Sequence, residues 1–358
     1  MKYLFITTGS LEFNSSFMRL RELGRHLAAA GVDVHYLIDS GPYNASLVEN
    51  LAFSGVHLIS GPGRAGRLVA RRLALDKLSP DVTHILNPQP SNTATIFGKN
   101  RFTVVDWDEL LSARRITWRM STISRACESY GRYRSQMTVV SSRYMQSIFK
   151  ARYGLDSLYL PYATYVEPFL PSPPPFTKPT VVYLGNFHHD GDFDILLDAW
   201  RVLGTRPAVP DLHMIGGGER LAEVKQFVEV SGMTNVRVHG YLPWPDVWAY
   251  LENADFLIFP IRDTVANRMR CPAKVFAYMQ TRRPIVTNPV GEVAEALGGN
   301  AVYVDPTANA FADAVLELSK TRLPPVEYDL SRFTWASRAQ ELLGAVHEHI
   351  ASWNCKAK

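Results

Sequence analysis

The chain has 358 residues, 46% hydrophobic and 20% charged, with a formal net charge of +4. At about 100–200 residues per domain this length calls for two domains, and the composition excludes a disordered or low-complexity protein. No stretch offers the roughly 20 consecutive apolar residues of a membrane-spanning helix. Cys127, Cys271 and Cys355 lie too far apart for a disulfide framework or the close pairs of a zinc site. A reducing cytoplasm fits this cysteine usage, and the short apolar run Tyr3–Thr8 lacks the longer core of a signal peptide.

The charge is uneven. Residues 1–165 hold 20 Lys and Arg against 12 Asp and Glu, and the remainder is mildly acidic. Arg64, Arg67, Arg71 and Arg72 precede one helical pattern, and Arg114, Arg115, Arg119, Arg125, Arg132 and Arg134 recur across another. Such a surface suits anionic lipid headgroups or a phosphorylated acceptor, and equally suits solvated helix faces. No recognition motif accompanies it, which argues against nucleic acid.

In chain order, residues 3–8 read as a buried strand, 9–16 as the loop after it, and Phe17, Leu20, Leu23, Leu27 and Ala30 recur at helical spacing before Gly31. Residues 32–38 form a second strand. Strand, loop, helix, strand opens a doubly wound parallel sheet, with its ligand at the carboxyl ends of the strands, near Gly9, Ser15 and Ser16. Further strands follow at 56–59, 81–86, 102–105, 137–141 and 158–160, with helices at 68–78, up to about 134, and at 142–153. The strand at 102–105 runs into Asp106-Trp107-Asp108-Glu109, so Asp106 and Asp108 sit on the ligand-facing end as candidates to bind hydroxyls or act as a base; the same acids also suit loop and cap positions. His84 reads as a strand or core histidine.

Five prolines in residues 171–179 cannot continue a helix or a central strand, and mark a linker between domains at 1–170 and 180–330. Residues 331–358 form a tail with Leu342, Leu343, Val346 and Ile350 on one helical face. In the second domain, Val181–Gly185 is a strand with a helix at 194–200. Leu212–Ile215 is a strand that ends in Gly216-Gly217-Gly218-Glu219, where backbone can approach a phosphate or sugar. A helix at 221–230, a strand at 236–239, Gly240-Tyr241-Leu242, a helix through 247–251 and the apolar run 254–260 come next. Cys271-Pro272-Ala273-Lys274 then opens a helix, with proline expected at its first position.

This series resembles the nucleotide-sugar half of family 4 retaining glycosyltransferases, glycosyl transferases group 1. The resemblance covers residues 180–305 well and the N-terminal half more loosely. It implies the GT-B fold: two Rossmann-like domains facing each other across a cleft, with a C-terminal helix crossing back to the first. It further implies a metal-independent transfer of a hexose from a nucleotide sugar, with no cofactor. The acceptor would be a glycan, a lipid-linked or a small molecule, in polysaccharide biosynthesis for instance, in the cytoplasm or peripherally at the inner membrane face. Arg268, Arg270 and Lys274 surround the helix start expected to meet the diphosphate, and Gly217, Gly218, Tyr241 and Leu242 match donor-side loops.

The pattern also departs from the family. Met269 and Ala277 stand where it has an E-x7-E pair, and Asn186 and His188, with His189 and Asp190, stand where it has a basic pair. Ser15 and Ser16 replace a Gly-Gly, and Leu86 and Asn87 replace a histidine. A non-catalytic or regulatory protein of the same fold is therefore the alternative expectation, followed by a phosphorylase-like or epimerase-like enzyme.

Overall fold

The computed structural model describes the chain except for residues 10, 12–14, 115–116, 165–175, 177, 190, 205–208, 322 and 357–358. Most of the proline-rich segment at 171–179, together with Arg115 and Asp190, lies outside the described residues. The chain divides into two compact units, one of Met1–Ala163 with Met269–Cys271 and Phe333–Lys358, the other of Thr164–Arg268 with Pro272–Arg332.

The first unit runs β1 (Lys2–Ile6), α1 (Ser15–Ala29), β2 (Asp33–Asp39), α2 (Pro42–Ser46), β3 (Gly55–Ile59), α3 (Gly63–Leu78), β4 (Val82–Leu86), α4 (Pro90–Ile96), β5 (Thr103–Trp107), α5 (Trp118–Arg134), β6 (Met137–Val140), α6 (Arg143–Tyr153) and β7 (Leu158–Tyr159). Its strands are ordered β3-β2-β1-β4-β5-β6-β7, and every neighbouring pair is parallel. A parallel sheet is covered by helices on both faces, which is why β1, β4, β5 and β6 are buried along nearly every residue rather than on alternate ones. Leu4, Ile6, Ile85, Val105, Trp107, Met145 and Phe149 form the core on one face. There Trp107 meets Phe149 edge-on at 4.9 Å. Ser142 caps α6 by accepting from the Met145 N–H, and Gly154 ends that helix in the left-handed conformation.

The second unit runs β8 (Thr180–Leu184), α7 (Asp194–Leu203), β9 (Asp211–Ile215), α8 (Leu221–Val230), β10 (Val236–Gly240), α9 (Trp244–Asn253), β11 (Phe256–Phe259), α10 (Val265–Met269), α11 (Ala273–Thr281), β12 (Ile285–Thr287), α12 (Glu292–Leu297), β13 (Val302–Tyr303) and α13 (Ala308–Lys320). Its sheet is again all parallel, in the order β10-β9-β8-β11-β12-β13. Helix α7 buries Ile195, Leu196, Ala199, Trp200 and Leu203, and packs against α13.

The last helix, α14 (Trp335–Lys356), belongs to the first unit and packs on α1. Trp335, Leu342 and Val346 are fully buried, and the Trp335 ring stands edge-on to Tyr162 at 6.0 Å. Two Rossmann-like sheets and a returning terminal helix constitute the GT-B architecture that the sequence implies. Pro272 sits one residue earlier than expected, as the cap before Ala273 rather than the first helical residue.

Candidate functional site

Open parallel sheets bind ligands beyond the carboxyl ends of their strands, at the point where strand order reverses. In the second unit that point lies between β8 and β11. Lys274, in the first turn of α11, sets its ammonium 4.8 Å from the Tyr183 ring of β8 and 4.5 Å from the Phe259 ring of β11. Gly185, directly after β8, makes the room. A Cβ there would lie 2.3 Å from Lys274 Nζ and 2.4 Å from the Tyr183 hydroxyl. The strands on both sides of the reversal thus cradle one cation.

The glycines after β9 serve the neighbouring loop. A Cβ on Gly216 would lie 1.9 Å from the Gly185 carbonyl oxygen, and one on Gly218 2.5 Å from that of Phe187. Gly216 (φ 130°) and Gly218 (φ 145°) also hold backbone angles that L side chains rarely adopt. Phe187 N–H donates to the Gly217 carbonyl at 2.7 Å, and Arg220 N–H to the Phe187 carbonyl at 3.0 Å. Gly217 lies against the Tyr241 ring. The close approach therefore seats residues 185–188, leaving Asn186 exposed and Leu242 half-buried. His188 Nδ1 meets the Glu219 carboxylate, and the His189 N–H donates to Glu219 Oε1 at 3.0 Å. The bond to His188 draws the Glu219 carboxyl down to about 2.

Arg268 is exposed and forms a two-pronged pair with Asp263, one contact being 2.5 Å. Arg270 belongs to the short segment that groups with the first unit, and its buried Nε lacks a hydrogen-bond partner. Ala277, at the family's second glutamate position, is fully buried.

In the first unit the order reverses between β1 and β4. Asp106, at the carboxyl end of β5, is fully buried, and Arg19 takes both its oxygens, Nε at 2.8 Å and an amino nitrogen at 3.1 Å. His84 Nε2 is 3.4 Å away, and its Nδ1 meets the Tyr3 hydroxyl at 2.7 Å. Burial opposes charge on Asp106, but Arg19 and His84 outweigh it and hold the carboxyl at about 2. Both oxygens are committed, so Asp106 positions Arg19 and α1 and is closed to a substrate.

Asp108 differs. Its Oδ2 accepts from Ser16 Oγ and, at 3.0 Å, from the Tyr162 hydroxyl, while burial raises its carboxyl to about 6. Asn87 sets this loop: with a left-handed backbone (φ 50°), it accepts from the Asp108 N–H at 2.9 Å and the Glu109 N–H at 3.3 Å. Ser15 is exposed at the start of α1. Gly9 (φ 87°) donates to Asp39 at 3.0 Å and accepts from Asn44 at 2.9 Å, which pins the loop after β1 to the end of β2.

A cationic switch point beside a glycine-seated loop suits an anionic ligand. Residues 178–321 match the family described as glycosyl transferases group 1. The whole chain shares its fold with solved glycosyltransferase structures. Anabaena Alr3699/HepE in complex with UDP-glucose aligns at a TM-score of 0.74 and 14% identity, covering 97% of this chain and 100% of that one. The S. aureus TarM mutant with fondaparinux, alpha-GlcNAc-glycerol and UDP aligns at 0.67 and 9% identity, covering 98% of each chain. The lipopolysaccharide outer core galactosyltransferase WaaB aligns at 0.65 and 15%, covering 97% of this chain and 99% of that one. No curated protein matches by sequence.

Sequence reasoning missed Arg19, Tyr162 and Asn44, which hold these loops. Arg19 hides in the polar column of an amphipathic pattern, and its only signal is that it shares a turn with Phe17 and Leu20.

Proposed function

We propose that the protein is a retaining glycosyltransferase that moves a hexosyl group from a nucleotide sugar to a glycan, lipid-linked or small-molecule acceptor. The observation that carries this reading is the Lys274 ammonium at the β8/β11 reversal. When the bond from the anomeric carbon to the diphosphate breaks, its electron pair stays on the leaving phosphate oxygen. A preorganised cation there stabilises the charge that builds in the transition state, without a metal. The first turn of α11, with no side-chain cap, adds the positive end of a helix dipole. The acceptor hydroxyl oxygen bonds to the anomeric carbon, and its proton passes to the departing phosphate oxygen. Asp108, already accepting from the Ser16 and Tyr162 hydroxyls, is the carboxylate we assign to acceptor hydroxyls.

We further assign the protein to the cytoplasm, with peripheral contact to anionic membrane. Support comes from α5, which exposes Trp118 (74%), Met120 (47%) and Ile123 (45%) beside Arg119 and Arg125. No helix among the described residues is long and apolar enough to cross a membrane.

The test is thermal unfolding of the protein and of Lys274→Ala with a panel of nucleoside diphosphates and their sugars, starting with UDP and UDP-glucose, which occupy solved structures of like fold. A nucleotide at about 100 times its Kd adds roughly 2.7 kcal/mol, a rise of several degrees. The rise is expected with one base and is expected to vanish in Lys274→Ala. If no nucleotide shifts the transition, the donor reading fails and the non-catalytic alternative takes its place, favoured by the buried Ala277 where a ribose-binding glutamate is expected.

A further inference from the structure

A cavity of about 250 Å³ opens in the first unit, lined by Thr8 and Gly9 after β1, Asp39 at the end of β2, Gln89 and Ser91 after β4, and Arg64, Arg67 and Arg71 of α3. It occupies the β1/β4 reversal on the carboxyl side of the sheet, the ligand-binding end of a doubly wound domain. The three arginines sit at i, i+3 and i+7, so one face of α3 delivers all of them.

Their roles differ. Arg71 is 97% buried, its guanidinium donates to Asp39 at 2.5 Å, and its Nε is buried with no hydrogen-bond partner. A buried, unspent N–H beside a cavity is costly unless something arrives to accept from it. Asp39 is in turn committed to Gly9 at 3.0 Å, so it fixes Arg71 and balances only that one charge. Arg64 and Arg67 have no acidic partner among the described residues. Three guanidinium groups against one carboxylate leave the cavity at about +2. It also lies at the N-terminal end of a 16-residue helix whose first turn has no side-chain cap, which adds positive potential. By contrast Arg72, the fourth member of the cluster, is spent on the carbonyls of Ala94 and Phe97 at 3.0 and 2.7 Å. The cluster is therefore not a uniform solvated face.

We propose that this cavity is an anion subsite that takes a phosphate monoester. Guanidinium forks match phosphate oxygens two at a time, and a monoester carries about −1.5 to −2 at neutral pH, the complement of the cavity charge. Resting on the glycosyltransferase reading, the phosphate belongs to the acceptor, whether a soluble phosphorylated compound or a phospholipid headgroup.

Titration calorimetry of the full chain with glycerol 3-phosphate tests it, with glycerol and acetate as controls, alongside Arg64→Gln/Arg67→Gln. Both side chains reach solvent and pair with no acid among the described residues, so the double variant keeps the fold, as its unfolding temperature will check. The protein is expected to bind glycerol 3-phosphate and neither control. The double variant is expected to bind at least tenfold more weakly. Flotation with phosphatidylcholine vesicles containing phosphatidic acid separates the sources: a matching loss there identifies a headgroup, and a loss for glycerol 3-phosphate alone identifies a soluble acceptor. Equal binding of either probe by protein and double variant in both experiments, equal binding of acetate, or no phosphate binding by the parent protein overturns the subsite. UDP titrated into the same samples keeps the two ideas apart. Nucleotide binding without phosphate binding sinks only the subsite, and the reverse sinks only the donor reading.

Discussion

Replacing Gly185 by alanine places one methyl group against the proposed donor cation. That Cβ would fall 2.3 Å from Lys274 Nζ and 2.4 Å from the Tyr183 hydroxyl, both at the ends of long side chains. Gly185 is outside the positive-φ set, so the backbone accepts alanine and only space is contested. Relieving the overlap costs about 1–3 kcal/mol of stability, since overpacking is absorbed by side-chain shifts. The ammonium is then displaced from the Tyr183 and Phe259 rings, and a charge-assisted contact to the diphosphate, worth about 1.5–3 kcal/mol, is lost. At 1.36 kcal/mol per decade this weakens nucleotide binding by roughly 10- to 150-fold. Calorimetry with the nucleotide that raises the unfolding temperature is the assay, on Gly185→Ala, Lys274→Ala and the double variant. Both singles are expected to fall in that range and the double no lower than the weaker single, because both remove one contact. Additive losses, or full affinity in Gly185→Ala with the fold intact, would refute the assignment of Gly185 as the space for Lys274.

Two further outcomes concern the first unit. Arg19→Ala strands the buried Asp106 carboxylate with only His84 and is expected to cost about 3–5 kcal/mol in a denaturant titration, whereas Arg19→Met with Asp106→Leu recovers most of it; equal losses in both would show that the pair itself supplies the stability. Asp108, raised to about 6 from an ordinary 3.8, binds its proton more tightly in the native than in the unfolded state. Its contribution therefore falls as pH rises from about 4 to about 6, by roughly 2–3 kcal/mol at most. Asp108→Asn is expected to flatten that part of the pH–stability curve and to raise stability at pH 7, and a curve unchanged in shape would contradict the burial of this carboxyl.

Periodicity made both sheets legible, because buried parallel strands such as residues 3–6 and 256–259 are continuous apolar runs, and glycines closed each repeat. The helix at 308–320 and the two-residue strand at 302–303 were not foreseen, as Val302 and Tyr303 form too short a run to signal pairing. Among the candidate residues, local sequence was enough to place Lys274 in the first turn of its helix and the glycines at the end of their strand. It could not divide Asp106 from Asp108, two residues apart with the same chemistry. Their partners, Arg19 for one and Ser16 with Tyr162 for the other, come from elements that only the folded sheet brings near.

The assignment of α14 to the first unit has a consequence for the order of events on the ribosome. The face of α1 that α14 covers is synthesised before the second unit, and its cover follows only after that entire unit, about 170 residues beyond Ala163. At about 5–20 residues per second that interval is roughly ten to thirty seconds. During it α1 lacks its helix partner, so the first unit completes its packing only after the second has been synthesised.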